Sequence, residues 1–259
     1  MKHSDSSKHD TYQARKEGLL FLGPLGVLFL LYLILIRLNV LVEANILYSR
    51  TLLVELTEWG YLAVELLAML FTYATVLSYT IREGERYALR PCLVYAAFSF
   101  LRYIALTLWI DGAVSGLNTS DLIEQLGLSL LNYGLDILQL SLILLLCSLS
   151  AQALKKEYQT MQKGAALLNR ELMPRTHYCY PYVMRPMRQD AAKRAACLIC
   201  GLLCAFRVSG RMIYDFNYGA PTELTDALWM ILYYTVDILI GIGGYFFILW
   251  IYKQNQKNI

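Results

Sequence analysis

The chain of 259 residues is 57% hydrophobic and 17% charged, with a formal charge of +3. Soluble domains average roughly 45–50% apolar residues, so this composition, with a mean hydropathy of +0.43, excludes an ordinary water-soluble fold and makes a bilayer the natural solvent. The sequence carries no phosphate-binding loop, dinucleotide fingerprint, HExxH pair, nucleophile elbow or kinase signature, which leaves no enzymatic role to expect.

Residues 1–17 form a polar tail with Lys2, Lys8, Arg15 and Lys16. From Gly18 to Ile36 no side chain is charged at neutral pH. Such a run is longer than the roughly 7–15 residues of a signal-peptide core and close to the about 20 that cross hydrocarbon as a helix. It reads as a retained first span, followed by Arg37. The second apolar run covers 59–79, flanked by Glu58 and containing Glu65; Arg82, Arg86 and Arg90 then lead into the third, 91–110, which contains Arg102. Residues 111–125 hold Asp111, Asp121 and Glu124 but no Lys or Arg, along with the sequon Asn118-Thr119-Ser120. The fourth span, 126–149, contains Asp136.

The next connection, 151–194, is strongly basic: Lys155, Lys156, Lys163, Arg170, Arg175, Arg185, Arg188, Lys193 and Arg194. A helical pattern extends from Ala151 to about Leu172, and Pro174, Pro181 and Pro186 are expected to break it. Between Thr176 and Arg188, His177, Tyr178, Tyr180 and Tyr182 interleave with Arg185 and Arg188. Such a strip suits lipid headgroups, or docking of a cytoplasmic protein. It has no fold that would support nucleic-acid binding. The fifth span, 195–214, contains Arg207 and Arg211, and the sixth, 227–252, contains Asp237. Lys253 and Lys257 lie in the tail 253–259.

Cytoplasmic loops collect Lys and Arg, so both basic connections and both tails read as internal. Residues 111–125 and 212–226, acidic and without Lys or Arg, read as external. The expectation is an all-α, polytopic membrane bundle of six transmembrane helices with both termini in the cytoplasm, most simply in the plasma membrane. Its segments are a tail at 1–17, spans one to four within 18–150, the basic loop 151–194, spans five and six within 195–252, and a short tail.

The three histidines, His3, His9 and His177, all fall outside the spans, so no haem, zinc or other cofactor is expected. Cys197, Cys200 and Cys204 share the fifth span with Ala196, Gly201 and Ala205. The spacing of four recurs in both lines, the small-residue pattern by which membrane helices approach closely. With Cys92, Cys147 and Cys179 on the inner side, no structural disulfide is expected.

The third and fifth spans correspond: Cys92-Leu93 precedes Arg102 as Cys197-Leu198 precedes Arg207, ten residues in each case (102 − 92 and 207 − 197). The fourth and sixth correspond in turn, Tyr133 to Ile137 matching Tyr234 to Ile238 around Asp136 and Asp237. The implied repeat is a two-helix hairpin with an intramembrane Arg on the first helix and an acid on the second. Arg37 and Glu65 echo it in the first hairpin, which would make three parallel repeats.

Ionisable groups inside a membrane cost about 2.5–3.5 kcal/mol each at its centre, so they pair or line a wet cavity. Gln125, Ser129, Asn132, Asp136 and Gln139 step by three and four along one helix face. Cys200, Cys204, Arg207, Arg211 and Asp215 make a second such stripe, and Tyr233, Asp237, Gly241 and Gly244 a third. Glu65, Arg102, Asn132, Asp136, Gln139, Arg207, Arg211 and Asp237 are therefore the candidate ligand-binding or charge-network residues. A saturated network of ion pairs, a cavity for a polar or anionic small molecule, and a carboxylate proton relay are the three readings open. At the level of function they give a small permease or ligand-binding membrane component. The alternative is a sensor or assembly scaffold whose basic inner loop docks a cytoplasmic partner.

Overall fold

The computed structural model describes residues 22–39, 52–82, 85–105, 119–168, 180–218 and 224–257, all of them helical. The six helices are α1 Leu22–Asn39, α2 Leu52–Arg82, α3 Glu85–Ala105, α4 Thr119–Leu168, α5 Tyr180–Tyr218 and α6 Leu224–Lys257. All but α3 are long and apolar enough to cross a membrane. The described part of α3 includes Glu85, Arg86, Arg90 and Arg102; the apolar residues 106–110 expected to complete that span lie outside the described residues. Large apolar side chains stand open on the helices, among them Val27 at 65% and Phe246 at 65% exposure. Such surfaces match lipid, and the chain is an integral membrane protein in contact with the bilayer.

Two helices run well beyond the bilayer, one as the sequence pattern implied and one not. The 50 residues of α4 rise about 75 Å, against a hydrocarbon core of about 30 Å. Much of the surplus is the polar stretch from 151, helical without a break to Leu168 and close to the expected end near Leu172. α5 begins at Tyr180 and contains Pro181 and Pro186, where a break was expected. Pro181 stands in the first turn, whose N–H groups have no intrahelical acceptor, so its ring costs nothing there. Pro186 removes one helical hydrogen bond without ending the helix.

The chain divides into two compact units: Met1–Thr72 with Arg90–Leu140, and Tyr73–Leu89 with Ser141–Ile259. The core of the first holds Tyr32 and Ile36 of α1 and Val64 of α2, flanked by Leu28, Leu35 and Tyr61. Phe98 of α3 meets Tyr32 and Phe29 edge-on, at 6.4 and 5.2 Å between centroids. Asn39 Nδ2 donates to Thr57 Oγ1 at 3.0 Å, tying α1 to α2.

In the second unit α5 packs on α6. In the line Ala196, Cys200, Cys204 the first two are buried and Cys204 half-buried, whereas Cys197, Gly201 and Ala205, the other small-residue line, are exposed. Only one of the two lines mediates close approach: a methyl at Gly241 would overlap Cys204 Sγ. Toward the far end of α6, Tyr252 Oη donates to the Arg188 carbonyl at 3.3 Å, and Asn255 Nδ2 donates to Ser78 Oγ at 3.3 Å. The buried hydroxyls of Ser78 and Thr80 also donate to carbonyls four residues back, at 2.7 and 2.8 Å, so polar groups inside α2 are satisfied within their own helix.

Candidate functional site

The intramembrane charges gather into two clusters, one in each unit. In the first, Ser99 and Arg102 stand three apart on one face of α3 and so address the same neighbours. Arg102 Nη1 donates to Glu65 Oε1 of α2 at 2.5 Å, and Nη2 to Asp136 Oδ2 of α4 at 3.1 Å. The Ser99 hydroxyl donates to that same Oδ2. The guanidinium also lies over the Tyr103 ring, 4.3 Å from its centroid. Arg102 is almost wholly enclosed, its side chain 3% exposed, while Glu65 and Asp136 keep 34% and 23%. Two carboxylates on one guanidinium leave a formal charge of −1. One turn along α4, Gln139 Nε2 reaches Met69 Sδ at 4.0 Å. Arg102 Nε and Tyr32 Oη are buried without a hydrogen-bond partner among the described residues.

The second cluster inverts this stoichiometry. Arg207 and Arg211, one helical turn apart on α5, both address Asp237 of α6. Arg207 Nε donates to Oδ1 at 2.8 Å and Arg211 Nε to Oδ2 at 2.9 Å. Asp237 is 1% exposed, but the arginine side chains keep 38% and 30%. One carboxylate on two guanidiniums leaves a formal charge of +1. Each arginine uses only its Nε. The four terminal N–H of each guanidinium meet no acceptor among the described residues. The Arg211 guanidinium lies 4.8 Å from the centroid of Tyr233, a cation–π distance. Behind the cluster, Cys204 Sγ points at the Asp237 carbonyl at 3.7 Å, in the notch that Gly241 leaves open.

Family models, curated proteins and solved structures yield no match to this chain. The arrangement of these side chains is therefore what bears on function.

Six of the eight candidate network residues, Glu65, Arg102, Asp136, Arg207, Arg211 and Asp237, make ion pairs, divided between the two clusters. Gln139 flanks the first. Asn132 is exposed and meets none of them, although its spacing put it on the Asp136 stripe. Of the inner strip, Tyr178 lies outside the described residues. Tyr180, Tyr182 and Arg185 belong to the first turns of α5, with side chains outside the described set. Arg188 accepts from Tyr252 through its carbonyl, and its Nε is buried without a partner among the described residues. Sequence reasoning missed Ser99, whose signal was its place one turn before Arg102. It also missed the notch between Gly241 and Cys204, each of which it had assigned to a separate helix face. No group of three metal-ligating side chains occurs among the described residues.

Proposed function

We propose that this protein is a non-enzymatic, ligand-binding membrane component or small permease of six spans, both termini cytoplasmic and the plasma membrane its site. Its recognition element is the cluster at Arg207, Arg211 and Asp237. One observation carries this reading: two partly exposed guanidiniums share a single buried carboxylate, and their terminal N–H groups meet no acceptor among the described residues. Asp237 holds both arginines by Nε, leaving their outer edges to an anionic group, the geometry in which Arg recognises carboxylates and phosphates. The repeat of two hairpins is supported by equivalent ion pairs, Arg102 to Asp136 and Arg207 to Asp237, at 3.1 and 2.8 Å.

The first cluster favours a second reading for its own unit. Arg102 is enclosed and held by two carboxylates, the arrangement of a charge lock that fixes α2, α3 and α4 together. A protein built wholly on such locks would be a sensor or assembly scaffold whose basic inner loop meets a cytoplasmic partner.

The two readings separate in a thermal-unfolding experiment on the detergent-solubilised chain, with acetate, inorganic phosphate, sulfate and anionic phospholipid as probes. The ligand-binding reading expects at least one probe to raise the midpoint of the wild type and not that of Arg211→Gln. Equal responses of the two proteins to every probe would remove it and leave the scaffold.

A further inference from the structure

We infer that Arg207 and Arg211 form a site for the phosphodiester of a net-anionic phospholipid. This rests on the anion-binding reading above and names its ligand class. The first argument is depth. The fifth span is read as 195–214 and the sixth as 227–252. Arg211 thus lies three residues (214 − 211), about 4.5 Å, and Arg207 seven residues (214 − 207), about 10 Å, from the end of the fifth span. Asp237 is ten residues (237 − 227), about 15 Å, inside the start of the sixth. The carboxylate therefore sits near mid-depth, with the two arginines rooted between it and one membrane interface, and arginine side chains rooted there can reach toward the headgroups.

The second argument is charge and access. The cluster carries +1, so a monoanion neutralises it, and a phosphodiester is a monoanion. The outer N–H edges belong to side chains that are 38% and 30% exposed. The surroundings are those of an amphiphile's binding face. Tyr233, whose ring meets the Arg211 guanidinium, is itself 38% exposed, and Phe206 and Met212, next to the arginines in sequence, are 39% and 57% exposed. A freely soluble anion would gain nothing from these apolar neighbours. A lipid places its acyl chains along them and its phosphodiester at the guanidiniums. Zwitterionic lipids offer the same phosphodiester but bring a compensating cation, so a net-anionic headgroup is preferred.

Native mass spectrometry of the full chain, titrated with phosphatidylglycerol or phosphatidylcholine of matched acyl chains, tests this. The wild type is expected to retain phosphatidylglycerol about fivefold over phosphatidylcholine, the Boltzmann factor of the about 1 kcal/mol that one cationic side chain contributes near an anionic lipid surface. Arg211→Gln, which leaves the cluster neutral, should lose the preference; Arg211→Lys, which keeps the charge, should retain most of it. Equal retention of both lipids by the wild type overturns the inference even if every variant misfolds. If that result accompanies a phosphate- or acetate-induced stabilisation that Arg211→Gln lacks, the site takes free anions and the functional reading survives. If neither lipid nor soluble anion discriminates, both fall. A wild type that dimerises through this surface, with Arg211→Gln monomeric, would give the site to a second copy of the chain and likewise overturn the lipid assignment.

Discussion

Asp237→Asn should be far more damaging than Arg211→Gln, although both remove one charged partner of the same ion pair. Asp237 is 1% exposed and accepts from two guanidiniums. Its loss strands two cations of α5 within the membrane, where each costs up to about 2.5–3.5 kcal/mol at the centre. Breaking a buried ion pair by removing one member typically costs about 3–5 kcal/mol. The arginines keep about a third of their surface and lie near an interface, so snorkelling recovers part of this. The net expectation is a loss of about 2–3 kcal/mol. Arg211→Gln leaves Asp237 paired with Arg207 and the cluster neutral, and should cost under about 1 kcal/mol, the scale of a partly screened pair. Adding Arg211→Gln to Asp237→Asn removes one stranded charge and should restore at least about 1 kcal/mol, a coupling expected only between residues in contact. Helicity measured through a denaturing-detergent titration would report all three values. If Arg211→Gln proves as costly as Asp237→Asn, the charge accounting is wrong and the cluster is balanced by groups other than these three.

Three further outcomes follow from the geometry. Gly241→Ala should destabilise by about 1–2 kcal/mol, because the new methyl overlaps Cys204 Sγ and overpacking costs about 1–3 kcal/mol, offset by about 1 kcal/mol of helix propensity. Cys204→Ala in the same protein should restore it, and an equally unstable double variant in the same titration would refute the notch. Arg102→Leu should cost about 3–5 kcal/mol by leaving Glu65 and Asp136 without their cation. The triple variant Arg102→Leu, Glu65→Gln, Asp136→Asn should recover much of that, and a triple no better than the single would show that the Arg102 cluster is no charge lock. Finally, membrane-permeant maleimides should label Cys197, which is exposed, well before Cys92, Cys147 and Cys200, which are buried. The same rate at all four would contradict the packing.

Much of the fold was legible because hydropathy over about 20 residues registers a single dominant requirement, that no backbone group be left unsatisfied in hydrocarbon. The pairing of Arg102 with Asp136, and of Arg207 with Asp237, was likewise implied by an intramembrane charge on each helix of a hairpin. What the pattern could not supply was stoichiometry. Spacing places Glu65 on the second span, but only the packing of α2 against α3 decides that it shares Arg102 with Asp136. Arg211 extends the Arg207 stripe by one turn, yet nothing local shows that both turn their Nε to one carboxylate. Nor does spacing decide exposure, as Asn132 illustrates. Steps of three and four define a stripe wide enough to have a buried edge and an exposed one, and Asn132 stands on the exposed edge. The prolines misled for a positional reason: Pro181 is disruptive inside a helix and harmless in its first turn, and the start of a helix is what sequence determines least well.

The two clusters show how charge count and exposure together separate a structural pair from a binding site. Arg102 is enclosed, and its two carboxylates more than neutralise it, so any further anion would meet a cluster that is already negative. At Asp237 the enclosed group is the acid. Each of its two oxygens accepts one Nε–H, and the groups left facing outward are donors carrying the surplus charge. The same residue types at matching hairpin positions thus give opposite outcomes according to which member is buried. A guanidinium buried between acids has no open edge, whereas an acid buried between guanidiniums leaves both outer edges open. For this reason the Arg207 and Arg211 variants are expected to change ligand retention at small cost to stability, and the Arg102 variants to change stability alone.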